Sequence, residues 1–365
     1  MRKVALILLL FLCFSVHADA AHIENDTFSQ QLMDAVGTQE RSLMNVLGIE
    51  TGNYEEILSI SYEKVLELIL QLIRGEISAP LTTALRIIAV MFILFIISAA
   101  CGNTNSYSQL SEVVGILLIS FLVLVPTAEC VTQVLSAVNT VNGFTKVLVP
   151  VFAGIVTFSG NPAMAVCFQT ACLGVATAFS SWLTNAIAPV CGLCASFAVC
   201  GSVNPDMQTQ QAASFVKKGF TYILAFSTAL FSAVLSVKSV LSAGADSVSM
   251  KGLKFLVGSA VPVVGGALAD SMNSVLAGIH LIKDSVAVFA VILLFLTILP
   301  GLVQIILWRI SLIALASVSS LIGLKRIGCL FESLDGIFAN LSAVLVYVAF
   351  LHIIALSLVV LISRR

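Results

Sequence analysis

An all-α, polytopic membrane fold is what this chain predicts, and three observations carry the prediction. Residues 87–216 hold only four charged side chains, Glu112, Glu129, Lys146 and Asp206, where a water-soluble domain has about a quarter of its residues charged. The whole chain is 59% hydrophobic and 10% charged, with a mean hydropathy of +1.07. Apolar runs long enough to cross about 30 Å of hydrocarbon recur along it, and in lipid a backbone must satisfy its own polar groups, which helices do. The expected body therefore has about six to eight transmembrane helices, some broken or re-entrant at Pro and Gly, behind a small extracytoplasmic helical segment.

The first element is residues 1–20. Arg2 and Lys3 give a positive start, Val4–Val16 an apolar core, and Ala18-Asp19-Ala20 a small-x-small cleavage site. That is the form of a secretory signal peptide, with an uncleaved anchor as the alternative. Either places the following residues outside the cytoplasm.

Residues 21–80 form the acidic segment. Ten acidic side chains against three basic ones leave a formal charge of 10 − 3 = 7 negative, which suits export, because lysine and arginine hold loops inside. Asn53 with Glu56 reads as a capping-box variant and Gly75 as a stop, predicting a helix over 54–74. Leu58, Tyr62, Val65, Leu66, Ile69 and Ile73 recur at helical spacing and give that helix one apolar face.

Residues 81–365 are the membrane domain. Clear spans are predicted at 82–100, 110–128, 163–183, 220–241, 286–307 and 338–362. The shorter segments 147–160 and 186–203 read as short spans, and 254–269 as a re-entrant or interfacial piece. Lys217, Lys218, Arg364 and Arg365 are expected in the cytoplasm. Segment 310–324 either lies along the cytoplasmic interface or crosses the membrane, and the basic residues flanking it, Arg309, Lys325 and Arg326, fit both.

No catalytic constellation is present in the sequence, so an enzyme is not expected, nor a cofactor or a metal. The net charge of −1 gives no reason to propose nucleic-acid binding. Cys191 and Cys194 have redox or zinc spacing, yet no second ligand pair accompanies them, and buried inert thiols are expected. The candidate break or packing sites are Pro150, Gly160, Pro162, Pro262, Gly265 and Gly266, which free backbone groups at membrane depth. The candidate intramembrane polar sites are Gln169, Gln304 and His352; each reads as bonding to a neighbouring helix. Arg86, Lys238 and Arg309 read as snorkelling anchors, and Gly174 with Ala178 as a close-contact pair. Lys146–Gly160 and Lys254–Gly266 look alike, the hint of paired broken helices that internally repeated transporters leave.

The block Lys254-Phe-Leu-Val-Gly-Ser-Ala-Val-Pro-Val-Val-Gly265, then Asp270, Val275-Leu276, Leu281-Ile-Lys-Asp-Ser285 and a span with Pro300, resembles the stage III sporulation protein AE family. Cys329-Leu-Phe-Glu-Ser-Leu-Asp335, Ala188-Pro189 and Gln211-Ala-Ala-Ser-Phe-Val-Lys-Lys218 extend the resemblance over roughly residues 80–362. Gly266 departs from it, since a basic residue is expected there. The resemblance implies a multi-pass subunit of the secretion-like channel complex joining mother cell and forespore, needed for late forespore development. It further implies placement in the mother-cell membrane around the forespore, with 21–80 facing the intermembrane space. Implied partners are ring-forming proteins of that space, an ATPase and a forespore-side protein. The competing reading is a secondary transporter or permease with pseudo-symmetric broken helices.

Overall fold

The computed structural model describes residues 38–47, 61–101, 105–158, 160–204, 209–260 and 265–362, and no strand occurs among them. The signal-peptide region, Asn53, Glu56 and Pro262 lie outside the described residues.

Helix α1 (Thr38–Leu47) and helix α2 (Tyr62–Glu76) precede the membrane body. Ser61 caps α2 by accepting from the Lys64 N–H at 3.4 Å, with Glu63 in the first turn and Arg74 in the last to complement the dipole. The helix predicted over 54–74 thus starts, within the described residues, at Tyr62. Gly75 does not end it, because Ile77 donates to Ile73 and accepts from Leu81 and so carries the chain into α3 (Ser78–Cys101) with almost no interruption. Lys64 Nζ donates to the Leu47 carbonyl at 3.3 Å and so closes the end of α1.

The next helices are longer than the predicted spans. Helix α4 (Asn105–Phe158) has 54 residues and runs through Pro126 and Pro150, so 110–128 and 147–160 are parts of one helix. Thr127 Oγ1, one residue after Pro126, donates to the Val123 carbonyl of the same helix at 2.7 Å. Helix α5 (Pro162–Gln169) continues through a π-helical stretch, Thr170–Ala176, into α6 (Thr177–Val203). Predicted spans 163–183 and 186–203 are therefore also one run, with Pro189 inside it.

Helix α7 (Thr209–Ala260) and helix α8 (Gly265–Ile322) follow, with 52 and 58 residues. The piece predicted as re-entrant, 254–269, divides between the last turns of α7 and the first of α8. Segment 310–324 neither crosses separately nor lies apart, because α8 continues through it to Ile322. Helix α9 (Lys325–Ile362) completes the chain's described part. Among the described residues, six helical runs are long and apolar enough to cross a membrane: Glu63–Ala100, Leu110–Phe158, Pro162–Val203, Gln211–Asp246, Val286–Ile322 and Lys325–Ser357.

The hairpin of α8 and α9 is the centre. Those two helices make the most extensive pair, and α4, α6 and α7 pack against α9 while α2, α3 and α4 pack against α8. Residues such as Leu330, Phe331, Leu334, Phe338, Leu341 and Leu345 are consequently withdrawn completely from the surface. The outer helices turn Phe92, Ile96, Leu117, Phe121, Tyr222 and Phe226 outward, as a lipid solvent requires. At 1.5 Å per residue α4 is about 80 Å long, against about 30 Å of hydrocarbon, so the bundle stands well proud of a bilayer.

Candidate functional site

Gly160 and Asn161 stand between the end of α4 and the start of α5, and their hydrogen bonds define the junction. Gly160 adopts φ 83, a left-handed conformation that costs a side-chain-bearing residue, and its N–H donates to Thr157 at 3.0 Å. The Asn161 N–H donates to Val156 at 3.2 Å. Those two bonds are a Schellman motif, which satisfies the last carbonyls of α4.

On the other side, α5 starts at Pro162, which has no N–H to leave unmade. Ala163 and Met164 donate to the two carboxylate oxygens of Asp246, at 2.9 and 2.8 Å, and Ala165 donates to the Asn161 carbonyl at 3.0 Å. Every donor of that first turn is thereby matched. Asp246 comes from α7, is 2% exposed, and is the sole charged side chain among the buried described residues. Two charge-assisted bonds at the positive end of a helix stabilise a carboxylate that would otherwise be expensive to bury. Phe152 and Phe168 meet across the break with ring centroids 5.1 Å apart.

Of the predicted break sites, Gly160 and Pro162 therefore form one built junction, while Pro150 lies on the exposed face of an unbroken helix. Gly265 and Gly266 open α8. Gln169 is exposed and Gln304 half-buried, and neither bonds to a neighbouring helix among the described residues, contrary to expectation. His352 is buried, but its Nδ1 bonds the Val348 carbonyl of its own helix at 2.8 Å. A carbonyl only accepts, so Nδ1 carries the proton, and Nε2 finds no partner among the described residues. Arg86 and Lys238 are exposed as anchors should be, whereas Arg309 forks onto Asp335 of α9 through Nε at 2.7 Å and Nη2 at 3.2 Å. Cys191 and Cys194 are buried free thiols.

Several partners were hidden from the sequence reading. Asp246 lies just beyond the predicted span 220–241; an isolated acid within an otherwise apolar helical run was the available signal. Ser227 Oγ and Tyr347 OH bond at 3.0 Å between α7 and α9, and Arg326 Nε reaches Glu112 Oε2 at 3.5 Å between α9 and α4. Such pairs join residues more than a hundred positions apart, and no local pattern announces them.

A second feature is the outward face of α4. From Leu110 to Val125 it is apolar. Beyond that it changes to Glu129, Thr132, Gln133, Ser136, Asn139 and Thr140, all exposed. A shallow hollow of about 540 Å³ lies over Thr132, Leu135, Ser136, Asn139 and Thr140.

Long apolar helices around a buried hairpin, with polar contacts reserved for junctions, define a polytopic helical membrane protein. Residues 46–363 match the family Stage III sporulation protein AE (spore_III_AE), and the chain belongs to that family. It is similar to Stage III sporulation protein AE of Bacillus subtilis (strain 168), with 26% identity over 212 residues. That alignment covers 57% of this chain and 53% of the relative, so the chain spans about half the length of the curated relative it matches. No solved structure matches.

Proposed function

We propose that the chain is an integral platform or conduit subunit of the channel complex between mother cell and forespore, seated in the mother-cell membrane around the forespore. The observation that carries the reading is the family match over residues 46–363 on a body of six long apolar helical runs. Three runs, α2–α3, α4 and α5–α6, take a start outside the cytoplasm to an inner end after Val203. Lys217 and Lys218 lie near the start of α7, Lys217 beside Gly336 of α9, and Lys325 and Arg326 open α9 with Arg326 on Glu112 of α4, in keeping with an excess of basic residues on the cytoplasmic side. The acidic segment 21–80 then faces the intermembrane space, where ring-forming proteins would meet it, and the basic end faces the ATPase.

The transporter reading has less support. Ion-coupled transport generally uses carboxylates set at midplane. Asp246 spends both oxygens on the Ala163 and Met164 amides and serves as a structural cap. Deletion of the gene should leave vegetative growth intact and arrest sporulation after engulfment, with rescue by the full chain. A deletion strain that sporulates normally but fails to grow on one defined nutrient overturns the proposal in favour of transport. Loss of co-purified ring proteins on removing 21–80 tests that segment as the docking element.

A further inference from the structure

The uncharged part of α7 spans one thickness of hydrocarbon. Residues 219–237, between Lys218 and Lys238, carry no acidic or basic side chain, and at 1.5 Å per residue they measure about 29 Å against a core of about 30 Å. Lys217 and Lys218 therefore stand at the headgroup level of one leaflet. The neighbouring helices put charge at the same level. Lys217 lies beside Gly336 of α9, and Arg309 of α8 forks onto Asp335. From Gly336 to Ile362 on α9, and from Val286 to Trp308 on α8, no Asp, Glu, Lys or Arg occurs. On the outer face of α7, Phe215 and Tyr222 flank Lys218 and are exposed, as aromatic side chains at a lipid interface are. Ile223, Phe226 and Leu230 continue that exposed face toward mid-bilayer.

The two ammonium groups have no counter-charge in the chain. A lysine that only holds a loop inside extends into water, whereas Lys217 is half-buried and folded against α9. Gly336 makes room for it: Lys217 Nζ, Cδ and Cε lie 3.3, 3.6 and 3.9 Å from where a Cβ at that glycine would stand. Neither Lys217 nor Lys218 pairs with a carboxylate among the described residues. Asp335 is held by Arg309, and Glu332, exposed one turn before Gly336, pairs with neither lysine. The Ser214 and Thr221 hydroxyls donate to carbonyls of α7 itself, those of Gln211 and Lys217, which leaves donation at this level to the lysines. A half-buried cation without a counter-charge calls for an anion from outside the chain.

We propose that Lys217 and Lys218 bind the phosphate of an anionic phospholipid, of the phosphatidylglycerol or cardiolipin class. The headgroup sits where α7 meets α9 at Gly336, and an acyl chain lies along Tyr222, Ile223 and Phe226. Lipid rather than an acidic protein segment is the occupant, because the cations border an exposed apolar face that continues into the bilayer. A zwitterionic headgroup carries its own cation beside the phosphate, so two adjacent lysines select against it. The inference rests on the membrane reading of the chain and not on its role in sporulation.

The test is native mass spectrometry of the full-length chain released from detergent micelles that hold phosphatidylglycerol and phosphatidylcholine with the same acyl chains. The parent should retain phosphatidylglycerol in preference. One lysine at an anionic surface contributes about fivefold in affinity, so Lys217→Gln should weaken the tightest-bound phosphatidylglycerol about fivefold, and Lys217→Gln with Lys218→Gln about 25-fold. Arg at both positions should keep it, and Lys238→Gln, which removes one charge at the other end of the uncharged stretch, should leave it unchanged. The proposal is overturned if the double Gln variant binds as the parent does, if the double Arg variant loses as much as the double Gln variant, if Lys238→Gln loses as much as Lys217→Gln, or if phosphatidylcholine is retained equally. Displacement of the bound phosphatidylglycerol by an equal concentration of a polyglutamate peptide also overturns it, in favour of an acidic protein partner.

Discussion

Removing the Asp246 carboxylate is the sharpest perturbation the structure offers. It accepts from two N–H groups of a helix that begins inside the protein, and Met164 beside it is 1% exposed. Hydrogen bonds to a charged group contribute about 1.5–3 kcal/mol each, and a buried donor left unmatched costs about 1–3 kcal/mol. Asp246→Ala removes both acceptors at once, and water gains little access to replace them. Allowing for relaxation of the three-residue turn, a loss of about 3–5 kcal/mol is expected. Asp246→Asn retains one acceptor and presents an amide donor to the other N–H, so it should fall between the parent and Asp246→Ala. The assay is equilibrium unfolding in mixed detergent micelles, followed by the fluorescence of Trp182 and Trp308. A destabilisation by Asp246→Ala below about 0.5 kcal/mol, the range of ordinary surface changes, would falsify the capping argument.

Three further outcomes follow from the geometry. Gly323 has φ 86 and open space around its Cα, so Gly323→Ala should cost about 1–2 kcal/mol by backbone strain alone in the same unfolding assay. Its turn repeats the Gly160 bonding pattern, with Gly323 donating to Ser320 and Leu324 to Ser319 at 3.2 and 2.9 Å. Arg309→Ala and Asp335→Ala in a double-mutant cycle should show a coupling of about 1–2 kcal/mol, above the usual exposed pair, because the contact is forked and half-buried. Zero coupling would return Arg309 to an anchoring role. For topology, single cysteines replacing Asn204 and Lys325 should react with an impermeant thiol reagent from one side of the membrane, and one replacing Phe158 from the other. Reaction of all three from one side contradicts single crossings by α4 and by the α5–α6 run.

The lengths of the helices were the least legible part of the fold. Pro126, Pro150 and Pro189 read as punctuation because proline removes a donor and clashes with the preceding turn. In a packed bundle a membrane helix can nevertheless continue through proline, as α4 does at Pro126 and Pro150. The π-helical stretch at Thr170–Ala176 has no marker in the residues that form it. Gly160 and Pro162 were legible because a left-handed glycine and an N1 proline are local requirements of a helix end and a helix start. The partner that completes their junction was not, since Asp246 lies more than eighty residues away.

Solvent choice was written in composition. A stretch of 130 residues with four charges cannot cover itself with water-facing groups, and that scarcity alone demanded helices in lipid. Which helices stand inside and which meet lipid was decided by packing, because α8 and α3 are almost equally apolar and only their neighbours distinguish them. The same holds for the turning of α4's polar face away from the core and for the pairing of Arg309 with Asp335. Hydrophobicity is a property of each residue and adds along the chain, whereas burial and hydrogen-bond partnership belong to pairs that only the tertiary arrangement brings together.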